Sequence, residues 1–277
     1  MIWHQLFLLA PCFLIIGIIT GSLSMIFGVG GGSIIVPAVS IFLHRIGYSH
    51  NISMKTAIAT SLITIMASTL NVLYQKNKIG DMPWALIGKF LPFVLTGGLI
   101  GSIIASKISG ELLTYLFMAF LLYIIVYSFL NKNFKTSYQL TDFTEPPTVK
   151  RSVVGFFIGT LSILIGISGN ILFIPYLRYY KCPMKTATAF TIGIMPALAF
   201  IGSMGYLIAG IHLNEAKMPA YSLGYINLPI FILIFFGSFI GAFFGQKLLK
   251  YINDNIQAQA YLIFLMIIFL LMLESIR

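Results

Sequence analysis

Charge is scarce in this chain, and negative charge most of all, with Asp and Glu supplying 7 of 277 residues. All seven acids, Asp81, Glu111, Asp142, Glu145, Glu215, Asp254 and Glu274, fall in loops or at the ends of apolar runs. With no carboxylate inside an apolar segment, a proton relay or a carboxylate cation site of the usual intramembrane kind has no support. Cysteine is equally sparse. Cys12 and Cys182 give neither a Cys-x-x-Cys pair nor a disulfide framework, and His4, His44, His50 and His212 lack metal-ligand spacing. No convergent nucleophile, base or metal set is visible, which disfavours an enzyme, and no cofactor or metal is expected.

What the chain has in abundance is apolar sequence. At 58% hydrophobic and 9% charged residues, with a mean hydropathy of +0.97, it cannot meet water over its whole surface. The expected class is an all-α polytopic membrane protein. The first run, 6–27, is too long for a signal-peptide core and lacks basic residues before it, so it reads as a retained helix. The net charge of +10 comes from basic residues placed singly or in pairs at the ends of apolar runs. They form no stripe, which argues against nucleic acid and for positive-inside bias.

Apolar runs fall at 6–28, 33–44, 54–75, 83–106 and 112–130, then at 152–168, 170–180, 184–210, 223–246 and 256–274. The second run in each half is too short for a span of about 20 residues, so the expectation is about eight full spans plus two short elements. Residues 21–37 align without a gap on 159–175, pairing Gly28, Gly31 and Pro37 with Gly166, Gly169 and Pro175. Met54-Lys55-Thr56-Ala57 returns as Met184-Lys185-Thr186-Ala187, and Gly97, Gly101 and Lys107 match Gly237, Gly241 and Lys247. The chain is therefore expected to hold two homologous five-element repeats, 1–130 and 152–277, joined by a cytoplasmic linker at 131–151.

Charge placement bears on whether the repeats are parallel or inverted. If each half crosses five times and the linker is cytoplasmic, 11 basic residues lie inside and 5 outside, with Lys89 counted in neither set. If each broken pair counts as one crossing, the sides balance. The positive-inside rule favours five plus five, inverted, with both termini outside.

The duplicated glycine segments are the candidate site. A run such as Gly28, Gly30, Gly31 and Gly32 lets backbone leave the helix, and the free N–H groups that start the next half-helix, with Ser33, can hold an anion. Close helix packing is the plainer reading of a lone glycine, but a second copy in step with the first favours function. That copy carries Ser168, Gly169 and Asn170, whose side chains either donate to an oxyanion or mark a site decayed into scaffold. Lys55 and Lys185 sit at the start of the third element in each half, where the helix dipole disfavours a cation by about 0.3–1 kcal/mol. They either attract an anion or snorkel as interface anchors. Thr60 and Ser61 are the hydroxyls taken as path-lining candidates. The glycine-x-x-x-glycine series at 97–105 and 237–245 read as packing seams. Lys89 is the only charge set well inside a predicted span, where it either snorkels or faces a cavity.

The glycine segment ending in Pro37, followed by Lys55-Thr56-Ala57-Ile58-Ala59-Thr60-Ser61, with both parts echoed in the second half, resembles the sulfite exporter TauE/SafE family of permeases. The resemblance implies a multi-pass inner-membrane secondary transporter for a small anion such as sulfite, an organosulfonate or a related sulfur oxyanion, working without ATP hydrolysis. Phe190, standing where the first copy has Thr60, together with Ser168 and Asn170, argues against a symmetric site. The partners expected are a small anionic solute and the bilayer, without nucleic acid, and a homodimer stays open. The alternatives are an accessory or assembly subunit, or an anion channel. Transport by the purified protein and unitary currents separate these readings.

Overall fold

The computed structural model describes residues 2–27, 31–130, 138–166, 169–211, 218–249 and 251–274. Among them lie ten α-helices: α1 (Ile2–Phe27), α2 (Gly32–Arg45), α3 (His50–Ile79), α4 (Trp84–Lys107), α5 (Gly110–Leu130), α6 (Thr148–Ile165), α7 (Asn170–Tyr179), α8 (Met184–Ile211), α9 (Leu228–Leu249) and α10 (Asp254–Glu274). A short antiparallel hairpin, β1 (Ser222–Leu223) with β2 (Ile226–Asn227), precedes α9. The chain is an all-α polytopic membrane protein. Helix is what an apolar solvent demands, because it satisfies every backbone N–H and C=O within the segment.

Seven helices, α1, α3, α4, α5, α6, α8 and α9, are long and apolar enough to cross a membrane. The 21 residues of α10 rise about 32 Å, enough for a core of about 30 Å, although its apolar stretch is shorter. By the same rise α2 reaches about 21 Å and α7 about 15 Å, which makes them half-spans. Residues 148–151, expected in the linker, form the first turn of α6 instead. Pro147 at the N-cap sets that start, its fixed φ suiting the entry to a helix.

Two gatherings of side chains define the ends of the bundle. At the hairpin end the start of α3 meets the end of α4, where Lys55 Nζ donates to the Ser106 carbonyl at 3.2 Å. It also meets the start of α5, where Gly110 N donates to Asn51 Oδ1 at 2.7 Å. Tyr225 of the hairpin lies there too, its ring centroid 5.7 Å from Lys55 Nζ. At the linker end Met25, Lys76, Asp81, Lys185 and Leu249 meet, from α1, α3, the α3–α4 turn, α8 and α9. Lys89 near the start of α4 also belongs to this end, ion-paired at 2.6 Å with Glu145 of the linker.

Lys89 thus lies in a helix long enough to span, but it is a paired charge. Its side chain is 43% exposed, and the Glu145 carboxylate that holds it also lies 3.8 Å from Arg151. An apolar run predicts span length but not which of its residues meets a loop carboxylate.

Helices α3 and α8 occupy the centre, with 67% and 50% of their apolar windows buried. Around them α1 packs along α9, and α6 packs along α4, through small residues. A β-carbon on Gly97 would stand 2.0 Å from the Phe156 carbonyl oxygen, and one on Gly241 would stand 2.0 Å from that of Ile18. Thr160 Oγ1 donates to the Gly97 carbonyl and Ser22 Oγ to that of Gly241, both at 2.9 Å. These are the packing seams expected from the glycine spacing. Large apolar side chains such as Leu99, Ile103, Phe239 and Phe243 face outward, as lipid requires.

Candidate functional site

The two glycine breaks meet halfway along α3. Gly31 at the N-cap of α2 has φ 81°, and Gly166 at the C-cap of α6 has φ 66°. Both angles lie in the left-handed region that glycine enters without steric cost. A β-carbon on Gly32 would lie 2.5 Å from the Gly166 carbonyl oxygen and 2.8 Å from Ser61 Oγ. Ser61 Oγ itself donates to that carbonyl at 3.0 Å, tying the first half's central helix to the second half's break.

From this junction α2 runs to the hairpin end and α7 to the linker end. Neither has a side-chain cap at its N-terminus, where Gly31 and Gly169 stand in place of the usual Ser, Thr, Asp or Asn. Two helix starts without a side-chain cap from their N-cap residues are thereby buried inside the protein, a setting suited to negative charge. The second start is already partly occupied. Gly169 N lies 3.2 Å from Met195 Sδ, a weak acceptor, and a β-carbon on Gly169 would press on Ser162 Oγ at 2.7 Å.

The expected site residues separate into groups. Gly28, Gly30 and Ser168 lie outside the described residues. Gly31, Gly32, Ser33, Ser61, Gly169 and Asn170 cluster at the two breaks, with Ser33, Ser61 and Asn170 fully buried. Thr60 is buried beside them on α3, but its Oγ1 accepts the Asn227 N–H at 3.0 Å and anchors the hairpin. Lys55 and Lys185 are apart, at opposite ends of the bundle.

Lys55 also has a different setting from the one its sequence position suggested. Although it lies near the start of its own helix, its ammonium meets the Ser106 carbonyl in the last turn of α4, the end of a helix where a cation is welcome. It is only 6% exposed, under the Tyr225 ring. Burial pushes the Tyr225 phenol above its ordinary pKa, so a neutral ring faces the ammonium. Lys185, by contrast, is exposed at the linker end.

The fold uses Thr60 and Ser61, the hydroxyls taken as path-lining candidates, while others are left over. Among the described residues Ser24 Oγ, Ser33 Oγ and Thr56 Oγ1 are buried without a hydrogen-bond partner, and Thr64 and Thr191 bond back to carbonyls of their own helices. Thr56 and Ser24 were not among the sequence candidates. Only the Thr motif itself signalled Thr56, and helical spacing cannot say which hydroxyl finds a carbonyl. Phe190 packs edge-on between Phe90 at 5.0 Å and Phe173 at 5.3 Å, so the place matching Thr60 is filled by an aromatic cluster. Among the described residues no three His, Cys, Asp or Glu side chains group as metal ligands.

A family model for the sulfite exporter TauE/SafE matches residues 13–272. The chain belongs to that family. It is 28% identical over 249 residues to a probable membrane transporter protein of Methanocaldococcus jannaschii, covering 88% of this chain and 89% of that one. A probable membrane transporter protein of Haemophilus influenzae is 27% identical over 241 residues, with 85% and 88% covered. The probable membrane transporter protein YunE of Bacillus subtilis is 26% identical over 275 residues, with 93% of each covered. No solved structure gives a significant match. Membership in TauE/SafE makes this chain a multi-pass membrane transporter.

Proposed function

We propose that this TauE/SafE transporter is a secondary permease of the cell inner membrane for a small anion, namely sulfite, an organosulfonate or a related sulfur oxyanion. The observation that carries the reading is the buried junction of two uncapped half-helix starts, where backbone N–H groups and hydroxyls supply donors and no carboxylate intrudes. Dehydrated anions are held there by dipoles rather than by a full positive charge, which lets them leave as well as bind. Uptake into proteoliposomes by the purified protein, over a panel of sulfite, thiosulfate, sulfoacetate, taurine and sulfate, tests it. Saturable uptake of at least one sulfur oxyanion is expected. Transport of a cation, or no uptake without a second protein, would reject it.

In this reading the halves, 1–130 and 152–277, are inverted copies about a twofold axis lying in the membrane plane, with 131–151 as a cytoplasmic linker. The pairing of α1 with α9 then has its counterpart in α6 with α4, and the separation of Lys55 from Lys185 follows as well. With Cys12 and Cys182 replaced by serine, Lys107→Cys and Lys78→Cys should react with an impermeant thiol reagent from opposite sides of the membrane. Both residues are exposed, one at each end of the bundle. Labelling from a single side would reject inversion.

Alternating access gives the two ends different roles. At the Lys55 end the hairpin is latched to α3 through Thr60, while Lys185 lines a cavity at the other end. Lys185→Gln should raise the KM for an anion entering from the linker side about two- to fivefold and leave maximal rate nearly unchanged. The rise should shrink as salt is added, because an exposed charge is screened. A change of the same size at 0.5 M salt would contradict steering.

A further inference from the structure

The linker end contains a charge that the sequence conceals. Lys76, in the last turn of α3, is 5% exposed, and among the described residues it makes no hydrogen bond or ion pair. Its side chain lines a cavity of about 310 Å3, together with Met25, Asp81, Lys185, Thr186 and Gln246. An ammonium withdrawn from water without a directly paired carboxylate is costly, and the C-terminal dipole of α3 and the more distant Asp81 offset only part of that cost. Among the described residues the cavity faces two lysines against one exposed carboxylate, a surplus of positive charge within low-dielectric walls. Thr186 and Gln246 add neutral donors, and Met25 leads toward the first glycine break three residues later in the chain.

We propose that this cavity is a binding site for a doubly charged oxyanion, held between Lys76 and Lys185. It is separate from the glycine junction, and it rests on the transport reading only in making its occupant a waiting solute. The phosphate oxygens of an anionic lipid headgroup, with a single negative charge, fit the same lysine pair. The two sources share the lysine pair and differ in how they respond to lipid composition.

The test uses the full chain in nanodiscs, titrated calorimetrically with sodium sulfate and sodium sulfite at constant ionic strength. In phosphatidylcholine, saturable binding is expected. Lys76→Met should weaken it about tenfold, Lys76→Arg should retain most of it, and Lys55→Gln should leave it unchanged. Asp81→Asn should tighten binding by removing the opposing charge. In phosphatidylglycerol discs, a wild-type affinity lower than in phosphatidylcholine, with no such difference in Lys76→Met, identifies the headgroup as the natural occupant of the lysine pair. Equal affinities in both lipids identify the free oxyanion. Unchanged sulfate affinity in Lys76→Met that elutes as folded protein, or weaker binding in Asp81→Asn, overturns the proposal. If Lys76-dependent binding persists while no anion is taken up into proteoliposomes, the transport reading fails and the site stands. If uptake is intact and Lys76→Met binds as wild type, the site alone fails.

Discussion

Gly32→Ala should abolish most transport while a second glycine in the same protein tolerates the same change. The added methyl would sit 2.5 Å from the Gly166 carbonyl oxygen, 2.7 Å from Ile65 Cδ1 and 2.8 Å from Ser61 Oγ. The isoleucine tip can move, but the carbonyl is backbone from the other half and also accepts the Ser61 hydroxyl. Relief requires the two breaks to separate. Overpacking of this kind costs roughly 1–3 kcal/mol, about fivefold to 150-fold if the transporting conformations bear it. Uptake should fall by at least about fivefold, with most of the protein still inserted. Gly88→Ala is the matched control, since nothing lies within 4 Å of its added carbon and alanine favours a helix. Equal uptake by the two variants would show that the junction is not where transport is limited. Gly31 is a poorer choice for this test because its φ of 81° strains any side chain before contact is considered.

The breaks were legible in the sequence because backbone freedom leaves a compositional mark, and duplication separates that mark from chance. Gly31, Gly32, Gly166 and Gly169 were found that way. Seams were legible for the same reason, in the spacing of Gly97, Gly101, Gly237 and Gly241. Side-chain roles were much less so. Thr60 and Ser61 look alike in the motif, yet one anchors a hairpin through Asn227 and the other bridges to Gly166. Both partners lie more than a hundred residues off in the chain, so no local rule reaches them. Lys76 and Lys89 show what hydropathy leaves open. Hydropathy marks where apolar sequence begins and ends, but neighbouring helices decide whether a terminal lysine is covered, as Lys76 is, or reaches a loop carboxylate, as Lys89 does.

Gly101→Val should instead remove folded protein. Its β-carbon would stand 2.6 Å from the Thr160 carbonyl oxygen and 3.0 Å from the Thr160 Cα, so α4 and α6 would have to part along their length. In a bilayer, helices gain no hydrophobic drive to reassociate, and close backbone approach supplies much of what holds such a pair. The loss, on the order of 3 kcal/mol, is a large share of a typical folding free energy. Detergent-extracted protein should fall several-fold in the monodisperse fraction, and its unfolding temperature should drop. The protein that remains should transport at close to the normal rate per molecule. A normal yield with lost transport would move this seam from scaffold to mechanism.

The hairpin at Ser222–Asn227 is a device that only the second half owns, since the matching connection in the first half is the short turn between Ile79 and Trp84. Asn227 grips α3 through its N–H on Thr60, caps α9 through Oδ1 to Ile230 N at 3.2 Å, and holds Ala220 and Ser222 with its amide. Under the proposed alternating access, opening that mouth must undo this latch, while among the described residues no such hairpin bars the other. The two half-cycles would then have unequal barriers, and the empty carrier would rest mostly in one orientation. Such a bias cannot set the direction of net flux, which belongs to the gradients alone. It sets which return step limits turnover, so uptake and release measured on the same vesicles should saturate at different concentrations while agreeing on the equilibrium they approach.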